Sequence, residues 1–249
     1  MWTADDEGEC SVAVLDVKGV TFSYGGSVTA LADVSFDVSA GSVVGLVGPN
    51  GSGKSTLIKV VLDLLELQQG EVTVLGQPHS SVEAKASTVY LSSNDYLPEF
   101  LTPREHYTLL GKLYGVDVDH GAAQRFFRDF SMVGRYDHLI SDFSHGMRKK
   151  TQLVAALVLR RPLTIVDETL NGIDLEALRI AERELAQLSR DGCSVLLVSH
   201  DFALLERLVD EVVFLDLGWL VTQGATAELI AEAGSLASLV FDHIESGAR

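Results

Sequence analysis

The run Gly48, Pro49, Asn50, Gly51, Ser52, Gly53, Lys54, Ser55, Thr56 satisfies the spacing G-x-x-x-x-G-K-[ST] through Gly48, Gly53, Lys54 and Ser55. Each residue type in that spacing has a chemical reason. Glycines let the backbone turn so that several N–H groups face one anion. A helix opening directly after the loop adds its positive N-terminal end. Lys54 is spaced to reach the β- and γ-phosphates of ATP, and Ser55 to ligate Mg²⁺. The indicated chemistry is binding of a nucleoside triphosphate, with hydrolysis if a water can be activated nearby.

Two further stretches could supply that activation. Residues 163–168 read Leu-Thr-Ile-Val-Asp-Glu, an apolar strand ending in Asp167 and Glu168. A parallel strand delivers its C-terminal residues to the ligand crevice. There Asp167 could hold Mg²⁺ through water, and Glu168 could polarise an attacking water. His200 closes a second apolar strand, 195–199, and is followed by Asp201. Taken singly, the acids read as a solvated turn and the histidine as a surface residue. Taken together, strand ends at Gly48, Asp167 and His200 would converge on one crevice.

These positions need a scaffold, and the hydrophobic pattern describes one. Residues 12–24 and 28–38 are Val- and Phe-rich strands joined at Gly25-Gly26. Residues 43–47 are apolar without a period of two, the mark of a strand buried on both faces. Residues 54–67 follow helical spacing through Leu57, Val60, Val61, Leu64 and Leu65. The order is strand, glycine loop, helix. Residues 71–75 and 88–91 predict further strands. From 102 to about 159 the pattern is mainly helical, opening on Thr102-Pro103-Arg104-Glu105 with Thr as N-cap, Pro at N1 and Glu at N3. Strands at 163–166 and 194–198 flank a long helix at 175–189. This βαβ order predicts a parallel sheet with crossover helices. A hairpin, 211–215 with 219–222, and two short helices complete the pattern.

Composition narrows the function further. The 249 residues suit one domain, or one domain with an inserted subdomain, and 47% hydrophobic residues can bury a sizeable core. A net charge of −16 repels phosphate backbones, which argues against nucleic acid as a partner. Part of that charge sits in an acidic leader, 1–11, carrying Asp5, Asp6, Glu7 and Glu9 and expected to be flexible. Cys10 and Cys193 form no metal-binding spacing, and free thiols fit a reducing compartment. The longest apolar run, 153–159, is too short to cross a bilayer. Any membrane role therefore requires another polypeptide.

From about Val14 to Ile244 the sequence resembles the nucleotide-binding subunit of an ATP-binding cassette (ABC) transporter. The motifs stand in the family's order. Gly48 to Thr56 matches Walker A, and Leu163 to Glu168 matches Walker B with its catalytic glutamate. Phe143-Ser144-His145-Gly146-Met147 looks like the family signature. Asn171-Gly172-Ile173-Asp174 resembles the D-loop, and His200 the switch histidine. Tyr24 stands where the family stacks an aromatic residue on adenine. The resemblance implies a P-loop NTPase fold of class α/β, its RecA-like parallel core joined by an antiparallel β subdomain and an inserted helical subdomain at about 92–161, within a cassette spanning 12–246. It implies Glu168, His200 and Lys54 in catalysis, and Ser55, Asp167 and Ser93 around Mg²⁺. Ser144, Gly146 and Asp174 would contact the nucleotide from a second nucleotide-binding subunit, identical or not, in a head-to-tail dimer. The partner implied is a transmembrane permease subunit, with the cassette cytoplasmic and peripheral on the inner face of the membrane.

Three residues depart from the family pattern. Ser93 stands where a Q-loop glutamine is usual, with Asn94 and Asp95 as alternatives if the register shifts. Thr169 replaces a proline after the glutamate. His145 occupies a signature position where Gly or Lys is usual. The Gly-Met signature and the tail 236–241 are similar to cassettes of ABC-2-type exporters, and the short stretch after Gly224 leaves no room for the regulatory domain frequent in importers. Export is therefore the expected direction. Alternatives are a soluble ABC-type ATPase, or a regulatory, weakly hydrolysing cassette paired with an active one.

Overall fold

The computed structural model describes residues 13–26 and 28–247. The acidic leader, Cys10 and the expected strand start at Val12 lie outside them.

The N-terminal part forms an antiparallel sheet. Strands β1 (Ala13–Tyr24) and β2 (Val28–Ser39) pair along their length. Strand β3 (Val43–Val47) leaves this sheet and leads into helix α1 (Lys54–Val61). Strands β4 (Gln69–Val74) and β5 (Gln77–Pro78) return to it, giving the order β2-β1-β4-β5. Helix α2 (Val82–Ala86) and strand β6 (Thr88–Leu91) follow. Helices α3 (Pro103–Tyr114), α4 (His120–Asp129) and α5 (His145–Leu159) then separate β6 from β7 (Leu163–Asp167). The chain continues through α6 (Leu175–Arg190), β8 (Ser194–Val198), α7 (Phe202–Leu208), β9 (Glu211–Asp216) and β10 (Trp219–Ala225). It ends in α8 (Thr226–Ala233) and α9 (Leu236–Glu245).

The second sheet has the order β10-β9-β3-β8-β7-β6. All its neighbours are parallel except β10 against β9. This is the α/β P-loop architecture expected from the sequence. Strand pleating explains why the central strands read as continuous apolar runs. Val44, Leu46, Ile165, Leu196, Val198 and Val213 face α1 and the antiparallel sheet. Their alternating neighbours Val43, Val47, Val166, Val195, Leu197 and Val212 face the remaining helices. Each strand thus serves two cores, one per face.

Helix starts are chemically explicit. Thr102 accepts from the Glu105 N–H, and the Glu105 carboxylate accepts from the Thr102 N–H at 2.9 Å, completing a capping box with Pro103 at N1. The side chains of Asp119, Asp174 and Asp201 cap α4, α6 and α7, each accepting from the backbone N–H three residues on.

One expected helix is shorter than its periodicity suggested. α1 stops at Val61, not near Leu67. Asp63 adopts a left-handed φ of 56°, and the N–H groups of Leu64 and Leu65 both donate to the Lys59 carbonyl. This closes the helix and sends the chain toward β4. Leu64 is left largely exposed, while Leu65 packs on the inner core. The short elements α2 and β5 carry too few residues to give a period and were not legible in the sequence.

The helical part holds one buried titratable group of consequence. His106 is 8% exposed on α3, and its buried Nδ1 has no hydrogen-bond partner. Burial lowers its pKa to about 4, from an ordinary 6.5. Below pH 6.5 the unfolded chain takes up a proton that the native chain refuses. Stability from this residue is therefore complete above 6.5 and lost as pH falls toward 4, by about 3 kcal/mol in all. In urea titrations across that window, a His106→Leu chain should show a flatter pH dependence than the parent.

Candidate functional site

Parallel pairing brings four strand ends to one edge. Leu46 and Asp167 both register against Val198, and Leu91 registers against Val166. The loop after β3, the acids at the end of β7 and the Ser199-His200 turn after β8 are therefore neighbours. Tyr24, residues 50–56, Glu168 and His200 line a cavity of about 350 Å³, completed by Val28, Thr29 and Ala30, with Asp167 just outside that lining.

The loop is held open by its glycines and by the turn between β9 and β10. Gly53, the N-cap of α1, has a φ of 105°, and α1 has neither a side-chain cap nor an acid in its first turn. Its leading N–H groups are thus left for an anion. The Gly218 N–H donates to Ser52 O at 3.0 Å, and the Ala32 N–H donates to Gly218 O at 2.8 Å, which buttresses the loop from beneath. Gly48 has a φ of 150°, and a Cβ there would lie 2.1 Å from Leu215 O and 2.7 Å from Ser52 Oγ. Gly48→Ala should therefore destabilise the chain by roughly 2–4 kcal/mol and weaken nucleotide binding, read by thermal melts with and without ATP.

Lys54 lies across this loop. Its ammonium donates to Gly48 O at 2.7 Å and Pro49 O at 3.0 Å. Burial lowers its pKa, opposed by the charges of Glu168 and Asp167. A polyphosphate at the uncapped end of α1 would offset that burial. Tyr24, a residue 43% exposed, flanks the cavity, and its hydroxyl lies 3.3 Å from Thr56 Oγ1. It can offer a stacking face to a base.

Two acids stand at the end of β7 in different settings. Asp167 is pushed up in pKa chiefly by burial, against the lowering effect of a hydrogen bond donated by the Tyr90 hydroxyl at 3.0 Å. A cation beside a buried carboxylate would reverse that shift, so the site suits a divalent ion. Among the described residues no cluster of three or more His, Cys, Asp or Glu side chains could cage a metal alone. Asp167, Ser55 and phosphate oxygens would together make a ligand set of the kind Mg²⁺ accepts. Glu168 occupies a left-handed turn, φ 53°, fixed by its N–H donating to Val198 O and its carbonyl accepting from the Asn171 N–H, each at 3.0 Å. His200 Nε2 lies 2.9 Å from Glu168 Oε1. A carboxylate so oriented can accept a proton from water, and the imidazole can both steer it and contact a terminal phosphate.

Thr169 ties this turn to β6. Its buried hydroxyl lies 2.8 Å from Leu91 O and 3.1 Å from Ser92 O, within donating distance of both. Ser93 itself is exposed and does not line the cavity. The loop it belongs to is fastened instead to one face of α5. Gln152 donates to Asn94 O at 2.8 Å, Arg148 pairs with Glu99 at 2.6 Å, and His145 Nδ1 lies 3.0 Å from Asp95 Oδ2.

Residues 31–171 match the family model described as ABC transporter. The chain belongs to this family. Among curated ABC transporter relatives, it is 31% identical over 229 residues to Nod factor export ATP-binding protein I of Rhizobium leguminosarum bv. viciae, covering 90% of this chain and 73% of that protein. It is 28% identical over 223 residues to the doxorubicin resistance ATP-binding protein DrrA of Mycobacterium tuberculosis, covering 88% and 67%. Among solved structures, an ATP binding subunit of an ABC transporter superposes with a TM-score of 0.84 at 30% identity, covering 92% of this chain and 98% of that one. CbiO1 of Clostridium perfringens, part of the transporter complex cbiONQ, shares the fold at 19% identity and a TM-score of 0.74.

The chain is thus an ATP-binding subunit of ABC transporter type. The cassette motifs outside the cavity occupy defined places. Ser144 is the N-cap of α5 and accepts from the Met147 N–H at 3.4 Å. A Cβ at Gly146 would meet nothing nearer than Gly172 O at 3.8 Å, so that face of the helix start is open. Asp174 caps α6 and pairs with Lys150 at 2.6 Å, which holds its carboxyl below the usual range. Lys149 donates to Asn171 O at 2.5 Å. Signature and D-loop are therefore neighbours, and neither Ser144, Gly146 nor Asp174 lines the cavity.

Sequence reasoning missed Tyr90 and the wall of Val28, Thr29 and Ala30. Tyr90 had a usable signal, since a tyrosine in an otherwise apolar strand needs a partner for its hydroxyl. The wall had none, because its role depends on how β2 curls past the loop.

Proposed function

We propose that this chain binds ATP with Mg²⁺ and hydrolyses it as one half of a head-to-tail pair of cassettes, driving a separate transmembrane subunit in export. The observation that carries the reading is which residues the cavity gathers and which it leaves out. Tyr24, residues 50–56, Glu168 and His200 line it, while Ser144 and Gly146 stand at an open helix start elsewhere. Two anion-receptive helix ends in one small subunit are accounted for if each completes the other's site across a pair.

In this reading Tyr24 stacks on the base. Gly48, Pro49, Asn50, Gly51, Ser52 and Gly53 present backbone N–H groups to the phosphates, with Thr56 at the start of α1. Lys54 neutralises charge between the β- and γ-phosphates. Ser55 and Asp167 would hold Mg²⁺, and Ser93, two residues past the end of β6, would join the shell only if its loop moved toward the cavity. Bound Mg²⁺ supplies charge stabilisation at the phosphates. Glu168 receives the proton of the attacking water, and His200 steers Glu168 and contacts the γ-phosphate. Ser144, Gly146 and Asp174 act on the nucleotide held by the other cassette.

Among the described residues no helix is long and apolar enough to cross a membrane. The transmembrane subunit would dock at the trough lined by Tyr90, Leu91, Tyr96, Leu97, His106 and Leu110, beside the exposed rings of Tyr96 and Phe100. Export is supported by the name of the Nod factor export relative, and a place on the inner face of the membrane is where a subunit fed by cellular ATP would meet its transmembrane partner.

The pairing is tested by light scattering on Glu168→Gln chains with ATP, in the purified transporter complex. Two copies of the cassette per ATP-bound complex are expected, and Ser144→Arg should prevent their closure. Closure that is indifferent to Ser144→Arg would overturn the head-to-tail arrangement.

A further inference from the structure

Tyr90 is shared by two features that the proposed function treats separately. Its ring forms part of the wall of the trough offered to a partner, and of an adjoining cavity with Val61, Leu62, His79 and Tyr114. Its hydroxyl lies 3.0 Å from Asp167 Oδ2, at the opposite end of the side chain. The sheet dictates this reach. Tyr90 registers against Ile165 on the parallel strand β7, so Asp167 is the next residue on the same face, two positions along. Tyr90 packs against the inner core with Ile165, which fixes the ring and leaves its tip at the carboxylate. The hydroxyl donates this hydrogen bond and the carboxylate accepts it.

We propose that Tyr90 is a positioning residue that orients the Asp167 carboxylate for the divalent cation. The proposal rests on the ATP and Mg²⁺ reading of the site. A phenol donating to Oδ2 fixes the plane of the carboxylate without exhausting its acceptor capacity, because two oxygens offer about four lone-pair sites. Thr169 reinforces the arrangement from the other side, joining the turn after Asp167 to Leu91 O and Ser92 O. The end of β6 and the end of β7 are therefore bonded twice, by one side chain from each strand's vicinity. In the family pattern a glutamine after β6 would serve the metal. Here Ser93 is exposed and does not line the cavity, while Tyr90 already touches the carboxylate.

The test is Mn²⁺ binding to the full chain in the presence of ATP, followed by the loss of the free-ion electron paramagnetic resonance signal. Tyr90→Phe keeps the ring and removes only the hydroxyl. It is expected to weaken Mn²⁺ binding by roughly tenfold, as for loss of a hydrogen bond to a charged group. ATP affinity measured without metal should stay at the parent value. Tyr114→Phe removes another hydroxyl from the same wall, one bonded to Thr88 O and not to Asp167. It should leave Mn²⁺ binding unchanged. Equal Mn²⁺ affinity for Tyr90→Phe and the parent, or an equal loss in Tyr114→Phe, would overturn the assignment. If the parent chain bound ATP but no Mn²⁺, the metal reading of Asp167 would itself fail, and this inference with it.

Discussion

Lys54→Ala is expected to remove tight ATP binding, lowering affinity by on the order of a hundredfold or more. The ammonium is among the buried polar groups of the chain, and its partners are the loop's own carbonyls, Gly48 O and Pro49 O. A triphosphate would exchange those neutral acceptors for charged ones, which roughly doubles the strength of each bond. Alanine keeps the helix and the glycines but leaves the phosphates without their compensating charge. Titration calorimetry decides the matter. An affinity equal to that of the parent would overturn the placement of ATP on this loop. The fold should survive, since Lys54 contributes no apolar surface to either core.

Glu168→Gln is expected to separate binding from turnover. The amide is nearly the size of the carboxylate and can keep its contact with His200, now at 2.9 Å. It cannot take a proton from water. Loss of a general base costs roughly 10²–10⁴ in rate, so kcat should fall nearly to zero while ATP affinity is retained or rises. Steady-state ATPase assays beside calorimetry read the two effects apart. A variant with more than about a tenth of parental activity would shift the base to another group. The glutamate's left-handed backbone strengthens this expectation, because strain at a polar residue is tolerated where the surroundings over-determine it. Here Val198 O and the Asn171 N–H hold that peptide on both sides.

Much of this was legible because short apolar runs with no period of two, alternating with helical segments, fit interior strands of a parallel sheet. From 43–47, 163–166 and 194–198, the convergence of Gly48, Asp167 and His200 follows directly, and the register confirms it. Local chemistry was equally readable at Thr102, where cap, proline and glutamate each have one structural use. The end of α1 was not readable, because Leu64 and Leu65 continue the helical spacing while Asp63 turns the backbone. Periodicity reports which residues are apolar, not where a φ changes sign. The fastening of loop 94–99 to α5 was hidden for another reason. Its partners, such as Gln152 with Asn94, are far apart in sequence, and polar contacts of that kind leave no pattern along the chain. His145, noted as a departure from the family pattern, lies 3.0 Å from Asp95 in that same set.

The pairing of β3 has a consequence for how the protein is made. The strand that carries the phosphate loop, β3, leaves the ribosome well before the strands it pairs with. Its two neighbours in the sheet are β8 and β9, which begin at Ser194 and Glu211. Until those residues emerge, β3 has both edges unpaired, and Gly48 lacks the Leu215 carbonyl it packs against. Non-local strands of this kind close slowly and leave sticky edges in the meantime. Nascent chains should therefore be unable to retain nucleotide until β8 and β9 have emerged, so the phosphate loop matures only after strands far downstream of it have been made.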